Sequence, residues 1–179
     1  MSKIISLKAR EILESRGFPT VEVVLVTEEG EFSESSPAGT SCGEGEALEL
    51  RDGGERLEGQ GVLKAVDNVE RVIAPAIVGQ TLENPKSFDN LLIKLDGTVN
   101  KSKLGANAIL ATSLAIWRAS AVASGTKLYQ FIANQYRGEL SPLRLRPCFN
   151  LLEGGEHAGN HLSVQEFLVI PQSHSFAEN

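Results

Sequence analysis

IISLKAREILESRGFPTVEVVLVTEEGEFSES, residues 4–35, contains three short runs of strand-forming residues separated by two turn sequences. Residues 4–13 alternate imperfectly between apolar and polar side chains, and residues 20–26 are rich in β-branched side chains. Gly-Phe-Pro and Glu-Glu-Gly supply the two turns. The third run, residues 31–35, is polar, as is typical of a strand at the edge of a sheet. We therefore expect a three-stranded antiparallel meander.

The composition changes abruptly after this meander. Residues 36–46, SPAGTSCGEGE, are dense in glycine and small hydroxyl residues, which favour a long loop over a regular element. Glycines let a backbone approach a metal or phosphate closely, and the Ser41 hydroxyl is a hard oxygen ligand of the kind that magnesium accepts. An ordinary connecting loop explains the composition equally well.

A helical period begins at about residue 61. Val62, Val66, Val69 and Ile73 recur at spacings of four, three and four, which places them on one face of a helix. Pro75 is predicted to end or kink this helix, because proline lacks the amide hydrogen that the next turn needs.

Three further helices are expected. Asn84 as a cap and Pro85 at the first helical position predict a helix over residues 85–95. Residues 104–123 are apolar around the whole circumference, which predicts a helix that is buried on every side. A last helix is predicted over residues 128–136.

The order of these elements indicates fold class and domain organisation. Strands followed by helices predict an α+β domain over residues 1–136, in which a three-stranded antiparallel meander precedes a helical bundle. Residues 137–146 are interpreted as a linker. Strand-like runs at residues 147–152 and 162–170 then predict that residues 147–179 begin a second domain.

A glycine-rich loop lies between these last two strands. Residues 150–167 read NLLEGGEHAGNHLSVQEF and place His157 among three glycines. His157 and the pair Gln165 and Glu166 could face one cavity and act in general acid–base catalysis, which needs such groups near a substrate proton. The simpler alternative, a solvated histidine and glutamate, stays open at this point. The spacing of four between His157 and His161 resembles a helical metal pair, but the intervening glycine and asparagine argue against a helix.

Charged residues also cluster at the first turn. Arg16 lies within the turn, and Glu22 follows on the second strand. Such charges are usually solvated, and the alternative is an ion pair across a subunit boundary.

Composition restricts the class of partner. A net charge of −6 disfavours binding to nucleic acid or to an anionic membrane, because such surfaces need an excess of lysine and arginine. No run reaches the roughly 18 apolar residues of a membrane span, and strand-like alternation follows the first methionine directly. The two cysteines, Cys42 and Cys148, lack metal-ligand spacing. We expect a cytoplasmic protein.

Several longer motifs, in this order and spread over nearly the whole chain, resemble the amino-terminal domain of enolase, phosphopyruvate hydratase. They are REILESRGFPTVEV at residues 10–23, EALELRDG at 46–53, GVLKAV at 61–66, LDGTVNKSKLGANAIL at 95–110, and FNLLEGGEHAGN at 149–160 with QEF at 165–167.

The resemblance implies a three-stranded sheet and helical bundle in front of a barrel, and a magnesium-dependent lyase of glycolysis that dehydrates 2-phosphoglycerate to phosphoenolpyruvate. Ser41 matches the loop serine that binds Mg²⁺. His157 matches the histidine near the substrate, with a catalytic role. Gln165 and Glu166 match residues that contact the substrate, and Glu166 is expected to help the hydroxyl depart.

The resemblance also implies a homodimer, with Arg16 and Glu22 at the dimer interface. The chain departs from the family pattern at three positions. Thr40 and its neighbours replace small loop residues, Phe18 stands where a turn asparagine is usual, and Glu153 replaces the asparagine before the glycine pair.

The largest departure is length. The family's other metal-binding carboxylates, its lysine base and its substrate-binding arginine lie on barrel strands beyond these 179 residues. We therefore expect a truncated barrel and a chain that is inactive unless a barrel half complements it. The alternative is a non-catalytic binding or scaffold protein derived from the amino-terminal domain.

Overall fold

The computed structural model describes residues 2–39, 43–136, 146–155, 158–173 and 175–178. The chain forms two compact units, Met1–Gly138 and Glu139–Asn179. Nearly all of the predicted linker at residues 137–146 lies outside the described residues, so the predicted domain limits stay predictions.

The first unit begins with the expected sheet. β1 (Ile4–Leu13), β2 (Pro19–Thr27) and β3 (Gly30–Ser35) are antiparallel and lie in the order β1-β2-β3. In the central strand β2, Val21 and Val23 are fully buried, whereas only one residue of the edge strand β3 is buried. The predicted meander and its polar edge are confirmed.

The first helix is longer than the proline suggests. It runs as α1 (Leu63–Asn68), a π-helical turn (Val69–Ile73) and α2 (Ala74–Ile77). The Ala74 amide donates to the Val69 carbonyl, five residues back. Of the two outcomes predicted for Pro75, the helix end does not occur, since the helix continues through Ile77. The irregularity is a π-helical turn immediately before Pro75, where a regular α-helix would lose a donor and meet the proline ring.

Two long helices follow, of which the second covers the sheet. α3 (Pro85–Asp96) begins as predicted, because the Asn84 side chain accepts a hydrogen bond from the Lys86 amide at 3.1 Å. α4 (Ala106–Ala123) packs on β2, β3 and α3, and α5 (Leu128–Tyr136) packs on α4. This arrangement confirms the α+β class, and the described residues form no closed barrel.

The expectation that α4 is buried on every side is wrong. Leu110, Leu114 and Val122 are 41%, 38% and 48% exposed, because the sheet and neighbouring helices cover only the other faces of α4. By length and a mean hydropathy of 1.2, α4 alone of the described helices could cross a membrane. More than half of it is buried inside the protein, as in the core helix of a globular domain.

A buried carboxylate organises the turn between α3 and α4. Asp96 is 2% exposed and accepts hydrogen bonds from the Leu104 amide at 2.8 Å, the Thr98 amide at 2.9 Å and the Thr98 hydroxyl. Burial raises the pKa of Asp96, but these donors together hold that pKa below its usual value. The turn is therefore built around a charged carboxylate.

Two other carboxylates satisfy the first amides of α1. The Val62 amide donates to Glu11 at 2.7 Å, and the Leu63 and Lys64 amides donate to Asp52 at 2.9 and 2.8 Å. Arg56 donates to both carboxylate oxygens of Glu11. The bond from Arg56, opposed by burial and assisted by the Val62 amide, lowers the pKa of Glu11.

Replacing Glu11 by glutamine is expected to lower the free energy of unfolding at neutral pH by about 1 kcal/mol, because the amide cannot accept both Arg56 bonds. Since the folded pKa of Glu11 lies below its unfolded value, its stabilisation is fully present above the unfolded pKa and is lost as pH falls through the folded pKa. The free energies of unfolding of wild type and Glu11→Gln, measured with urea at several pH values, should converge in acid. Glu31→Gln, at an exposed β3 carboxylate, is the control; a pH-independent difference would contradict the assignment.

The second unit contains a two-stranded antiparallel sheet. β4 (Phe149–Glu153) pairs with β5 (Glu166–Val169), followed by a 3₁₀ turn (Phe176–Glu178). Both strands form where the sequence predicts them, although β5 is shorter than residues 162–170. Every residue of both strands is exposed.

Candidate functional site

Ser41 and His157 lie outside the described residues. Gln165, Glu166, Arg16 and Glu22 lie within them, so the structure shows the surroundings of these four alone. The roles expected for all six residues stay predictions.

Gln165 and Glu166 lie at the base of the glycine loop. Glu166 pairs with Glu153 across the β4–β5 ladder. Beyond this pair, the Gly154 amide donates to the Gln165 carbonyl and the Gly155 amide donates to the Leu162 carbonyl, both at 2.8 Å. The backbone therefore closes the loop at its root and fixes where the Gln165 and Glu166 side chains leave it.

Gly154 allows this closure because it has no side chain. A Cβ atom there would lie 2.4 Å from the Val164 carbonyl oxygen and 2.6 Å from the Leu162 carbonyl oxygen. Real Cβ atoms essentially never approach backbone so closely. Gly155 has a φ of +69°, a left-handed conformation that glycine adopts readily. Position 154 thus favours glycine because a Cβ atom has no space there, and position 155 favours glycine because of its backbone conformation.

Alanine at position 154 is expected to open the loop, because its Cβ must displace two backbone carbonyls. We expect the Gly154 amide position to exchange its hydrogen about tenfold faster, as its bond to the Gln165 carbonyl is lost. Amide exchange measured by nuclear magnetic resonance checks this. Gly159→Ala is the matched control, since nothing lies within 4 Å of a Cβ built there. Equal exchange at residue 154 in wild type and Gly154→Ala would refute the argument.

A β-bulge and two asparagines shape the same loop. Asn150 pairs with Leu168 and Leu152 pairs with Phe167, so Leu151 is an extra residue in β4. The Asn150 side chain donates to the Glu153 carboxylate at 2.9 Å. The bulge explains this contact, because residues three apart on a regular strand point to opposite faces.

The second asparagine, Asn160, bridges the loop to β4. Its amide nitrogen donates to the Glu153 carbonyl at 2.8 Å, and its side-chain oxygen accepts from the Leu162 amide at 2.9 Å. Sequence reasoning did not single out Asn150 or Asn160. The preference of asparagine for local backbone bonds, together with the adjacent glycine, was a signal for Asn160.

The described residues do not by themselves form a metal site. Among them, no three or more His, Cys, Asp or Glu side chains are grouped so that they could hold a metal ion. Glu153 and Glu166 form a pair of carboxylates and no more.

The loop that carries Ser41 begins directly after β3, at a buried residue. Ser36 is 3% exposed; its amide donates to the Val21 carbonyl at 2.9 Å, and its carbonyl accepts from the Thr20 hydroxyl at 2.5 Å. The position at which the chain enters the loop is therefore fixed by the sheet.

The far end of this loop is held by hydrogen bonds. The Leu48 amide donates to the Asn100 carbonyl at 2.7 Å, and the Asn107 side chain bonds both the amide and the carbonyl of Leu50, at 3.2 and 3.1 Å. This end of the loop is held by polar contacts and not by burial of Leu48, which is 44% exposed. The side-chain amide of Asn107, 2% exposed, bonds the Leu50 amide and carbonyl as the backbone of a neighbouring strand would.

Arg16 and Glu22 each have a partner within the chain. Arg16 donates to the Glu14 carboxylate at 3.1 Å and to the Ala38 carbonyl at 2.8 Å. Glu22 accepts from Arg10, which is its partner in the β1–β2 register. Their proposed place at a subunit boundary is untested by these contacts.

Two family sequence models match the chain in succession. The one described as "Enolase, N-terminal domain" matches residues 4–132, and the one described as "Enolase, C-terminal TIM barrel domain" matches residues 143–179. Curated relatives agree. The "Enolase" of Mastigamoeba balamuthi is 51% identical over 96% of this chain and 39% of that protein. The corresponding values are 52%, 99% and 42% for the "Enolase" of Eimeria tenella, and 49%, 98% and 41% for that of Methanothrix thermoacetophila. The chain spans about two fifths of the length of these relatives.

Proposed function

The chain belongs to the enolase family, and we propose that it contributes the amino-terminal domain and first barrel strands to the dehydration of 2-phosphoglycerate to phosphoenolpyruvate in glycolysis. The observation that carries the proposal is an identity of about half over nearly the whole chain, which includes the glycine loop and both residues at its base. Family membership makes the reaction class that of a lyase, phosphopyruvate hydratase.

The residue roles follow the family pattern. Glu166 and His157 act on the substrate, with Glu166 assisting the departure of the hydroxyl, and Gln165 binds beside them. The closed base of the glycine loop supports this assignment, because it fixes the backbone from which Gln165 and Glu166 project. A carboxylate in such a place can give or take a proton if the substrate lies within hydrogen-bond reach.

Magnesium is the proposed cofactor, with Ser41 as one ligand. The described residues offer no complete set of ligands. We therefore place the remaining ligands on barrel strands of the kind that the relatives carry beyond the matched part. The same reasoning proposes that the isolated 179-residue polypeptide does not turn over substrate.

The proposed assembly is a barrel half together with this chain, and a homodimer with Arg16 and Glu22 at its boundary. The cytoplasm is the proposed location, without a nucleic-acid or membrane partner. The net charge of −6 supports the last point.

A chimera tests the function directly. Residues 1–179 would be fused to the remaining carboxyl-terminal part of the Mastigamoeba balamuthi relative, and phosphoenolpyruvate formation would be followed with Mg²⁺ and 2-phosphoglycerate. We expect turnover by the chimera and none by either part alone. A folded chimera without turnover would count against the proposal and favour a non-catalytic scaffold. Turnover by residues 1–179 alone would refute the need for a barrel.

A further inference from the structure

We propose that Arg16 is a positioning residue that, together with Glu49, clamps the peptide group between Ala38 and Gly39, two residues before Ser41. Arg16 donates to the carbonyl oxygen of this peptide, and Glu49 accepts from its amide nitrogen. The inference deepens the proposed function and rests on it for the importance of Ser41. The clamp itself can be measured without metal, substrate or barrel.

On the carbonyl side, the Arg16 guanidinium is oriented before it reaches the peptide. Its Nε donates to Glu14 at 3.1 Å, while its Nη2 donates to the Ala38 carbonyl at 2.8 Å. Glu14 in turn accepts from the Arg16 and Phe18 amides at 3.0 and 3.2 Å. The β1–β2 turn therefore holds Glu14, and Glu14 holds the guanidinium.

Phe18 adds a further contact to Arg16. The Arg16 guanidinium lies over the Phe18 ring, 5.9 Å from its centroid. Cations at this distance from an aromatic face are attracted by the ring quadrupole. The phenylalanine that departs from the usual turn asparagine thus restricts Arg16 from a second direction.

On the amide side, a second arginine orients the acceptor. The Gly39 amide donates to Glu49 Oε1 at 3.3 Å, and Arg51 Nη2 donates to Glu49 Oε2 at 2.6 Å. Arg51 is itself fixed by the Pro19 and Gln60 carbonyls, at 2.6 and 2.9 Å. Glu49 therefore cannot turn freely away from Gly39.

Holding both polar atoms of one peptide has a specific mechanical effect. A peptide group is planar, so bonds to its oxygen and to its nitrogen together prevent it from rotating about the axis of the chain. Arg16 and Arg51 line a cleft of about 260 Å³ together with the clamped peptide. Each of these arginines is paired with a glutamate, Glu14 or Glu49. The two ion pairs hold the same peptide from opposite sides, so the clamp should act as a unit.

The clamp connects two parts of the proposed function. Arg16 is proposed for the subunit boundary, and the clamped peptide directly precedes the residues that contain the proposed magnesium ligand. A change at Arg16 should therefore alter the backbone that leads to Ser41 without touching substrate.

The test measures hydrogen exchange of the Gly39 amide in the full 179-residue chain, without metal. We expect about fivefold faster exchange in Arg16→Ala and in Glu49→Gln, and an intermediate rate in Arg16→Lys, because lysine keeps the charge but cannot bond Glu14 and Ala38 with one fork. Phe18→Asn should raise the rate by about twofold. Arg71→Ala is the control, since the exposed Arg71 pairs only with Asp67 among its described contacts.

The double variant Arg16→Ala with Glu49→Gln distinguishes a clamp from two separate bonds. A clamp predicts that the combined effect is smaller than the product of the single effects. Independent effects, or Gly39 exchange in Arg16→Ala equal to that of wild type, would overturn the proposal. If Arg16→Ala accelerates amide exchange across the whole sheet, the Gly39 exchange rate in Glu49→Gln decides whether the clamp exists.

In the chimera, Arg16→Ala is then expected to raise the Mg²⁺ concentration for half-maximal rate by about fivefold with little change in the rate at saturating Mg²⁺. If hydrogen exchange shows the clamp but Arg16→Ala does not change the Mg²⁺ concentration for half-maximal rate, the link to Ser41 is overturned. The enolase assignment is then intact. Absence of turnover in the chimera would count against the proposed function and would leave the clamp, which is measured by hydrogen exchange, unaffected.

Discussion

Glu166→Gln is expected to reduce the turnover number of the chimera by about 10²-fold to 10⁴-fold, the usual contribution of a general acid or base. Glutamine keeps the size of the side chain but cannot exchange a proton with the departing hydroxyl. Glu166 is exposed on β5, and no described hydrogen bond depends on its carboxylate, so the strand should form unchanged. Steady-state rates at saturating Mg²⁺ and 2-phosphoglycerate give the measurement.

The opposite residue in the ladder supplies a matched control. Glu153→Asn installs the amide that the family usually carries at this position, directly across from Glu166. We expect its turnover number to stay within about threefold of the parent, because the bond that Glu153 accepts from Asn150 is local. Full activity in Glu166→Gln would remove Glu166 from the catalytic residues.

Asp96→Ala is expected to lower the free energy of unfolding of the first unit by about 3 kcal/mol, because the Leu104 and Thr98 amides then lose their acceptor. The carboxylate is buried, so water cannot readily replace it. Urea unfolding followed by circular dichroism measures the loss. Asp67→Ala, at a 54% exposed side chain with one ion pair, should cost less than about 1 kcal/mol.

The pH dependence provides an independent check on Asp96. Its folded pKa lies below the unfolded value, so its stabilisation is present above the unfolded pKa and disappears as pH falls through the folded pKa. The difference between wild type and Asp96→Ala should therefore narrow in acid. A loss of stability that is the same at pH 7 and in acid would contradict a lowered folded pKa, and a loss that grows in acid would mean that Asp96 is neutral when folded.

Local chemistry made the sheet and the helix starts predictable. The alternation of β1, the β-branched residues of β2 and the turn sequences between them each act within a few residues. The cap at Asn84 is also local, because its side chain bonds an amide two residues away. Such features need no knowledge of the rest of the fold.

Features that depend on distant residues were missed. Asn107 bonds Leu50, which lies 57 residues earlier, and no pattern around either residue signals the other. The exposed stripe of α4 was missed because an all-round apolar sequence does not say which neighbours cover it. The sequence likewise allowed a helix end at Pro75. The π-helical turn that accommodates this proline within the helix has no signal in the local sequence pattern.

The candidate site was predictable mainly through the resemblance. Residue types alone favoured a solvated histidine and glutamate at His157 and Glu166, whereas the resemblance to the family motif implied roles for them. The closing bonds at Gly154 and the bridge made by Asn160 were not expected, although they explain why this loop needs glycine and asparagine there.

The π-helical turn at Val69–Ile73 has a consequence for how the sequence can vary in evolution. A π-turn holds one residue more than an α-turn, so a homologue shorter by one residue here could keep Ile73 and Ile77 on the same side of a regular helix. Proline at the position of Pro75 would then cost roughly 3 kcal/mol inside that regular helix. Chain length and proline should therefore covary: homologues with the deletion should carry a different residue in place of Pro75.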